Sequence, residues 1–425
     1  MRVVTSETTS INSLSVNFGL EMCSKVVILG GSGAMTSSCV YDLYQTSDFD
    51  EIVVADADEV NAERLVEMID DERVRFEPVD ATDVEDIARV LDDADYVVNG
   101  LPFFFEETVL DAIADVGGLT GVDLNAFDFD AVLDRSEELT EADCSLWFAN
   151  GGLVSTIALG MVGCEGFESV EDVNFYWGMW RLLTQTTTGL TATVTHEHDP
   201  NVDERARWED GEVIDDLPPF SQERSFEFPD PVGEQETYVI SHPEPITFPN
   251  APIAEETDVE RIITRGVWHE EWAEYERTLH AMDAFDTDTI EVEGGDVDPV
   301  EVAQEQVKRA GREREAEWQP PEELSTETDW TPQTILSSEV TGSNDGEDGV
   351  AVHHLEQPYP FFDGNDITTM REYGCYVGVP LSVTLQLMAD GSVDEEGIFV
   401  TETSGLDAEQ YFEEMESRGF ELTEK

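Results

Sequence analysis

Lysine is almost missing from this chain of 425 residues: it occurs at positions 25, 308 and 425, and lysine and arginine together number 21 against 97 acidic residues, for a net charge of −76. A surface so poor in cations argues against binding to nucleic acid or an anionic membrane, because both need basic groups to displace counterions. Cysteine is scarce as well. The five present, an odd number without metal-ligand spacing, read as reduced thiols of a cytoplasmic protein rather than a disulfide framework. Cys39 and Cys164 fall in apolar helical patterns and are expected in the core. No apolar run is long enough to span a bilayer. Residues 1–21 lack the cationic start and apolar segment of a signal peptide and read as a flexible lead-in, with Met22 a candidate natural start.

What is abundant is acid, and it is interleaved with apolar residues at regular periods. With 40% of the chain hydrophobic, this is a folded protein rather than a disordered acidic one. Its self-repulsion is the main threat to compactness in dilute salt, and concentrated salt shortens the Debye length to a few ångströms. The composition is that of a halophilic protein working in molar salt. The length allows two or three domains.

The most informative stretch is Val26–Asp56. Val26–Leu29 is a short, wholly apolar, β-branched run, as a strand buried on both faces requires. Gly30, Gly31, Ser32 and Gly33 follow, then Ala34 and Met35, and apolar residues at helical spacing continue through Cys39, Val40 and Leu43. A strand, a glycine turn and a helix in this order aim backbone N–H groups and a helix dipole at one spot, where a pyrophosphate binds. A second strand, Ile52–Ala55, ends at Asp56, 25 residues on from Gly31 (56 − 31), where a carboxylate accepts hydrogen bonds from ribose hydroxyls. Asp56, Ala57 and Asp58, with no arginine nearby, favour NAD over NADP. Thr36 stands where the dinucleotide fingerprint has its last glycine and should hold the helix slightly away from the strand.

Helix and strand continue to alternate through a strand at 74–79 ending beside Asp80, a helix capped by Thr82 or Asp83, and a strand at Tyr96–Asn99. That strand runs into Gly100, Leu101 and Pro102 at the sheet edge where open α/β folds bind ligands. Asn99 either meets the nicotinamide ribose or holds the loop. Of Phe103, Phe104 and Phe105, at least two are expected in the core. Further strands at 121–124 and 146–149 complete a doubly wound, parallel Rossmann sheet over residues 22–150.

The run Val-Asp-Ala-Thr-Asp at 79–83, then Asp-Tyr-Val-Val-Asn-Gly-Leu-Pro-Phe-Phe-Phe at 95–105 and Gly-Val-Asp-Leu at 121–124 resembles the saccharopine dehydrogenase and lysine 6-dehydrogenase family. So does the closing stretch from Gly378-Val379-Pro380-Leu381 through Glu396-Gly397-Ile398 to Arg418-Gly419. The resemblance implies that residues 371–425 return to the nucleotide domain, that residues 151–370 form an α+β substrate domain, and that the chain is a nicotinamide-dependent oxidoreductase acting on a C–N bond. The family often carries Gly-Gly-x-Pro at the start of its substrate region. This chain has Tyr176-Trp177-Gly178-Met179-Trp180 there.

In the substrate region, strands are expected at 173–176, 190–195, 234–240, 335–340 and 350–355, with hairpin turns at Asp210-Gly211 and Asn344-Asp345-Gly346 and a helix over 299–318. Lys308, Arg309, Arg312 and Arg314 alternate with glutamates there and read as surface pairing. His353 and His354 point to opposite strand faces and cannot share a metal. His196 and His198 lack a third ligand, so no metal site is expected. Hydride transfer from an amine needs a group for the amine proton and a cation for a substrate carboxylate. His242, in Ser-His-Pro-Glu, and Arg181 are the candidate catalytic residues. The substrate is an amino acid or secondary amine, a homodimer is allowed by fold-level analogy, and the alternative is a catalytically silent nucleotide-binding redox sensor.

Overall fold

A computed structural model describes residues 24–126, 128–179, 205–215, 217–230, 232–268, 270–285, 289–303, 305–306, 309, 334–356 and 372–425. The lead-in 1–21, Met22, the strand expected at 190–195, His196, His198, Arg181 and most of the 299–318 helix lie outside them; residues 299–303 are helical.

The first half alternates strand and helix: β1 (Lys25–Leu29), α1 (Thr36–Thr46), β2 (Glu51–Asp56), α2 (Glu59–Ile69), β3 (Val74–Pro78), α3 (Val84–Leu91), β4 (Tyr96–Asn99), α4 (Glu106–Val116), β5 (Thr120–Asp123), α5 (Phe129–Leu133), α6 (Ser136–Glu141) and β6 (Ser145–Trp147). Val26–Leu29 and Ile52–Ala55 are fully buried, which is why these runs are apolar without alternation. A long buried helix, α7 (Gly152–Cys164), follows and is apolar on every side, as a helix covered all round must be.

The second half is mostly strand: β7 (Ser169–Met179), β8 (Arg207–Glu209), β9 (Glu212–Ile214), β10 (Arg224–Glu227), β11 (Glu234–Val239), the short helices α8 (Glu244–Thr247) and α9 (Pro252–Glu256), β12 (Arg261–Trp268), α10 (Glu270–Ala281), the hairpin β13 (Ile290–Val292) and β14 (Gly295–Val297), β15 (Thr334–Asn344) and β16 (Glu347–Glu356). The chain closes with α11 (Glu372–Ala389), β17 (Gly397–Phe399), α12 (Ala408–Ser417) and β18 (Glu421–Glu424). Both expected hairpin turns form. Asp210 and Gly211 have φ of 50° and 91°, Asp345 and Gly346 of 52° and 79°, the left-handed pairs that a two-residue hairpin requires.

One sheet has seven strands in the order β17-β6-β5-β4-β1-β2-β3, all parallel. The order reverses between β1 and β4, the switch point of a doubly wound fold. The seventh strand is β17, so the closing segment returns to this sheet; three residues, Gly397–Phe399, are too short to be read as a strand from their pattern. The other sheet, of nine strands, runs β10-β11-β12-β7-β15-β16-β18 with the β8–β9 hairpin branching from β12, and α7 lies against it. Gly160 and Gly163 allow that approach: Cβ atoms there would fall 2.6 Å from Phe175 and 2.5 Å from Val340.

His353 and His354 are both buried: His353 lies beneath Gly163, whereas His354 Nδ1 meets Ser337 Oγ at 2.8 Å, the opposite-face arrangement expected of neighbours on a strand. Cys39 and Cys164 are in the core. The phenylalanine trio departs from expectation. Phe103 and Phe104 are 43% and 67% exposed, in a 3₁₀ turn over Phe103–Phe105 where the rings meet edge-on and tilted, with centroids at 5.7 and 4.5 Å along the trio.

A buried ion pair fastens the closing segment to α1. Arg418 Nε lies 2.9 Å from Asp42 Oδ2, both side chains being about 5% exposed or less, and Ser382 Oγ donates to the same oxygen at 2.6 Å. Arg418→Met leaves the carboxylate buried without its cation, at an expected cost of about 3–5 kcal/mol. Urea denaturation in molar KCl checks this, and a loss under ~1 kcal/mol would mean that the pair behaves as an exposed one.

Candidate functional site

Backbone geometry at the end of β1 makes the glycines obligatory. Gly30 has φ of +70° and its N–H donates to the Ala55 carbonyl at 2.8 Å; Gly33 N–H closes the turn onto Gly30 O at 3.0 Å. A Cβ on Gly31 would fall 2.9 Å from the Ile28 oxygen and 3.1 Å from Val54 Cγ1, so no side chain fits. Helix α1 starts without a side-chain cap and without an acidic residue in its first turn, leaving N–H groups directed at the turn.

Thr36 does not loosen this turn. It is 1% exposed, its hydroxyl donates to the Gly30 carbonyl, and its methyl occupies the place of a side chain on the neighbouring strand end, where a Cβ on Gly100 would lie 2.0 Å from Thr36 Cγ2. The glycine missing from one side of the contact is present on the other. Gly100 O and Leu101 Cδ2 would stand 3.1 and 3.3 Å from a Cβ on Gly30. The structure therefore brings Gly30, Gly31, Ser32, Gly33, Ala34, Met35, Gly100 and Leu101 to one edge.

Asp56 lies beside the same turn. Its Oδ2 accepts from Ser32 N–H at 3.0 Å and Ser32 Oγ at 2.7 Å, and its Oδ1 from Asp58 N–H at 2.9 Å. Asp80, after β3, accepts from the Thr82 hydroxyl and N–H at 2.7 and 3.0 Å, bonds that hold its carboxyl below the usual range. Asn99 is turned inward: it is fully buried, Oδ1 accepts from Leu101 N–H at 3.1 Å and Nδ2 donates to Asp123 at 2.8 Å. Its side chain holds the loop.

The ends of β5 and β6 continue the edge. Asn150 Nδ2 is buried without a partner among the described residues, while Asn150 Oδ1 accepts from Gly151 N–H at 2.7 Å and Thr384 Oγ1 at 2.9 Å. Gly152, first in α7, has room for nothing larger, because its Cβ would meet Trp177 at 2.7 Å. Trp177 in turn lies against His242, ring centroids 4.4 Å apart. Trp177 of β7 thus links His242 to the start of α7.

His242 Nδ1 lies 2.7 Å from Glu244 Oε2. Glu244 has no exposure and also accepts from Thr156 Oγ1 at 2.8 Å, Trp177 Nε1 at 3.0 Å and Thr264 Oγ1 at 3.0 Å. Burial pushes its carboxyl up, and the charge and hydrogen bond of His242 with the Trp177 bond outweigh that push and hold it below the usual range. Glu244 fixes which imidazole nitrogen faces inward. Sequence pattern singled out His242 and passed over Glu244; two residues apart across Pro243, they carry a weak signal until α8 turns them toward each other.

Glu402, just after β17, is buried as well. Burial raises its carboxyl to about 7, Thr247 opposing and the Glu244 charge adding to the effect. An acid whose folded pKa is raised loses stability as pH climbs above its unfolded value near ~4.5, and the loss is complete above the folded value. Glu402→Gln should therefore stabilise the protein at pH 8 by up to ~3 kcal/mol and by nothing near pH 4.5. Urea melts at the two pH values decide it, and an equal effect at both would contradict the shift. In the same way, Gly100→Ala should cost about 1–3 kcal/mol by overpacking Thr36, most of it recovered by adding Thr36→Gly. Equal costs in both backgrounds would show that the two positions do not meet.

Residues 26–141 match a family model described as saccharopine dehydrogenase NADP binding domain. Saccharopine dehydrogenase (L-Glu forming) from Saccharomyces cerevisiae superposes with a TM-score of 0.66 at 15% identity, over 95% of this chain and 99% of that one. Pen from Bacillus thuringiensis (TM-score 0.27, 13% identity, 39% of this chain and 60% of that one) and a short-chain dehydrogenase/reductase from Veillonella parvula in complex with NADP (0.23, 13%, 29% and 67%) are partial matches that carry no argument. The chain therefore contains, over residues 26–141, a match to the nucleotide domain of the saccharopine dehydrogenase family and resembles saccharopine dehydrogenase in fold over nearly its whole length.

Proposed function

We propose that the protein is a nicotinamide-dependent dehydrogenase that oxidises the C–N bond of an amino acid or secondary amine, or reduces the corresponding imine. The observation that carries this reading is the His242–Glu244 pair, which Trp177 joins to Gly152 at the start of α7. The turn fits a dinucleotide: a Cβ would fill the place left by Gly31, and the first turn of α1 is uncapped. Gly30 to Met35 would hold the pyrophosphate, Asp56 the adenosine ribose, and Asp80, Gly100 and Leu101 would flank the groove. The bound nicotinamide supplies the hydride chemistry.

The protein's own groups do the rest. His242 takes or returns the proton of the substrate nitrogen, and Glu244 holds the imidazole in position. Arg181 is our candidate partner for a substrate carboxylate. Asp56, Asp58 and Asp80 crowd the end of the groove where a 2′-phosphate would sit, and Arg89 nearby is taken by Asp86, Glu77 and the Pro78 carbonyl. These acids favour NAD, whereas the description of the matching domain names NADP. The alternative, a silent redox sensor, drew on Thr36 and on the altered 176–180 stretch, and the fit of Thr36 to Gly100 removes the first of these grounds.

The four described cysteines are buried and form no disulfide with one another, and we place the protein in the cytoplasm. Among the described residues no helix is long and apolar enough to cross a membrane. Sedimentation in molar salt would test a homodimer. Titration of NADH and NADPH in molar KCl should give at least tenfold tighter binding of NADH, about what one unfavourable charge contact provides; equal affinities would overturn the reading of Asp56. His242→Gln should lower kcat for amine oxidation by about 10²–10⁴-fold while NADH still binds. Undiminished kcat would remove His242 from the chemistry.

A further inference from the structure

Two carboxylates are buried together where β4 and β5 end, and neither has a place in the reaction described so far. Glu106, first in α4, is 8% exposed and Asp123, last in β5, is 0% exposed. Asn99 Nδ2 donates to Asp123 Oδ2 at 2.8 Å and lies 3.4 Å from Glu106 Oε2. Asn125 Nδ2 donates to Glu106 Oε2 at 2.6 Å, and Asn125 N–H to Asp123 Oδ1 at 2.8 Å. No arginine, lysine or histidine side chain pairs with either carboxylate among the described residues. Two amides hold the pair, and an amide orients a carboxylate without neutralising it.

Carboxylates this close and this buried do not both ionise. Burial, and then the charge of Asp123, pushes Glu106 far up, and burial raises Asp123 less because Asn99 and Asn125 stabilise its ionised form. The pair therefore shares a proton, and its negative charge is favoured on Asp123, which accepts from both Asn99 Nδ2 and Asn125 N–H. Leu124 N–H donates to the Asn99 carbonyl at 2.9 Å and Asn150 N–H to the Asp123 carbonyl at 2.8 Å, so the charge is built into the joined ends of β4, β5 and β6. These strands lie across the switch point from Asp56, on the half of the fold that takes the second mononucleotide of a dinucleotide. An oxidised nicotinamide ring is a cation, and a reduced one is neutral.

We infer that Asp123 is an electrostatic specificity determinant: its buried charge favours binding of the oxidised dinucleotide over the reduced one, with Asn99 and Asn125 fixing its geometry beside Glu106. The inference rests on the nicotinamide reading above. Molar salt screens a buried charge far less than the exposed acids around it. A unit charge acting across roughly 10 Å at an effective dielectric of about 20 changes a binding constant by about tenfold.

Equilibrium binding of NAD+, NADH and ADP-ribose to the full chain in molar KCl, with circular dichroism to verify the fold, tests it. Asp123→Asn should weaken NAD+ by about tenfold relative to NADH and leave ADP-ribose, which lacks the ring, unchanged. Glu106→Gln copies the protonated side chain and should leave the NAD+ to NADH ratio as in the wild type. An unchanged ratio in Asp123→Asn overturns the inference, and so does a shift in Glu106→Gln as large as that in Asp123→Asn. Should Asp123→Asn not fold, the wild type decides: NAD+ must gain over ADP-ribose at least as much as NADH does, and a larger gain for NADH refutes the role of Asp123. If none of the three nucleotides binds the wild type, the nucleotide site itself is misread and the inference falls with it.

Discussion

Close approach of backbone to backbone around α1 is the constraint on which the rest depends. On one side Thr36 reaches into the space left by Gly100. On another, Gly378 of α11 presses against the start of the helix, where a Cβ would stand 2.2 Å from the Met35 carbonyl; Ser38 Oγ donates to the Gly374 carbonyl at 2.7 Å in the same contact. The glycine turn is therefore held from the first strand, from the fourth and from the far end of the chain. Van der Waals contact at this range tolerates no added methyl group without strain, so the geometry of the nucleotide edge depends on residues more than 300 positions apart.

The same closing segment connects site and scaffold. Helix α11 lies against α1, β17 extends the parallel sheet and β18 pairs with β16 in the mixed one. Helix α7 is mostly buried against the mixed sheet, and its first residues meet Trp177, which lies against His242. The acids divide by burial. Most of those in the described residues are not buried, while Asp123, Glu106, Glu244 and Glu402 are buried in places where charge has to be shared, paired or neutralised.

The nucleotide half was legible because its signals are local and agree with one another: β-branched runs, glycines, a cap at Asp83 and an acid after the second strand all specify the same unit. Its seven-stranded sheet still gained a strand that no local pattern announced, because Gly397–Phe399 becomes a strand only through pairing with Ser145–Trp147. Thr36 misled for a related reason, since the fingerprint is written along one segment and the compensating glycine lies on another. The phenylalanine trio misled because hydrophobicity favours burial but does not guarantee it at a loop tip. In the second half His242 stood out by residue type. Glu244 and Trp177 there did not, nor did the Glu106–Asp123 pair of the first half, because their importance comes from burial and partners that only the fold supplies.

The most direct test is turnover. Purified protein in molar KCl, given NAD or NADP and a panel of amino acids and secondary amines that includes lysine and saccharopine, should reduce the nicotinamide only when an amine is present, and more readily with NAD. Reduction of neither cofactor by any amine, with NADH binding intact, would contradict the dehydrogenase reading and leave a nucleotide-binding protein that lacks this chemistry.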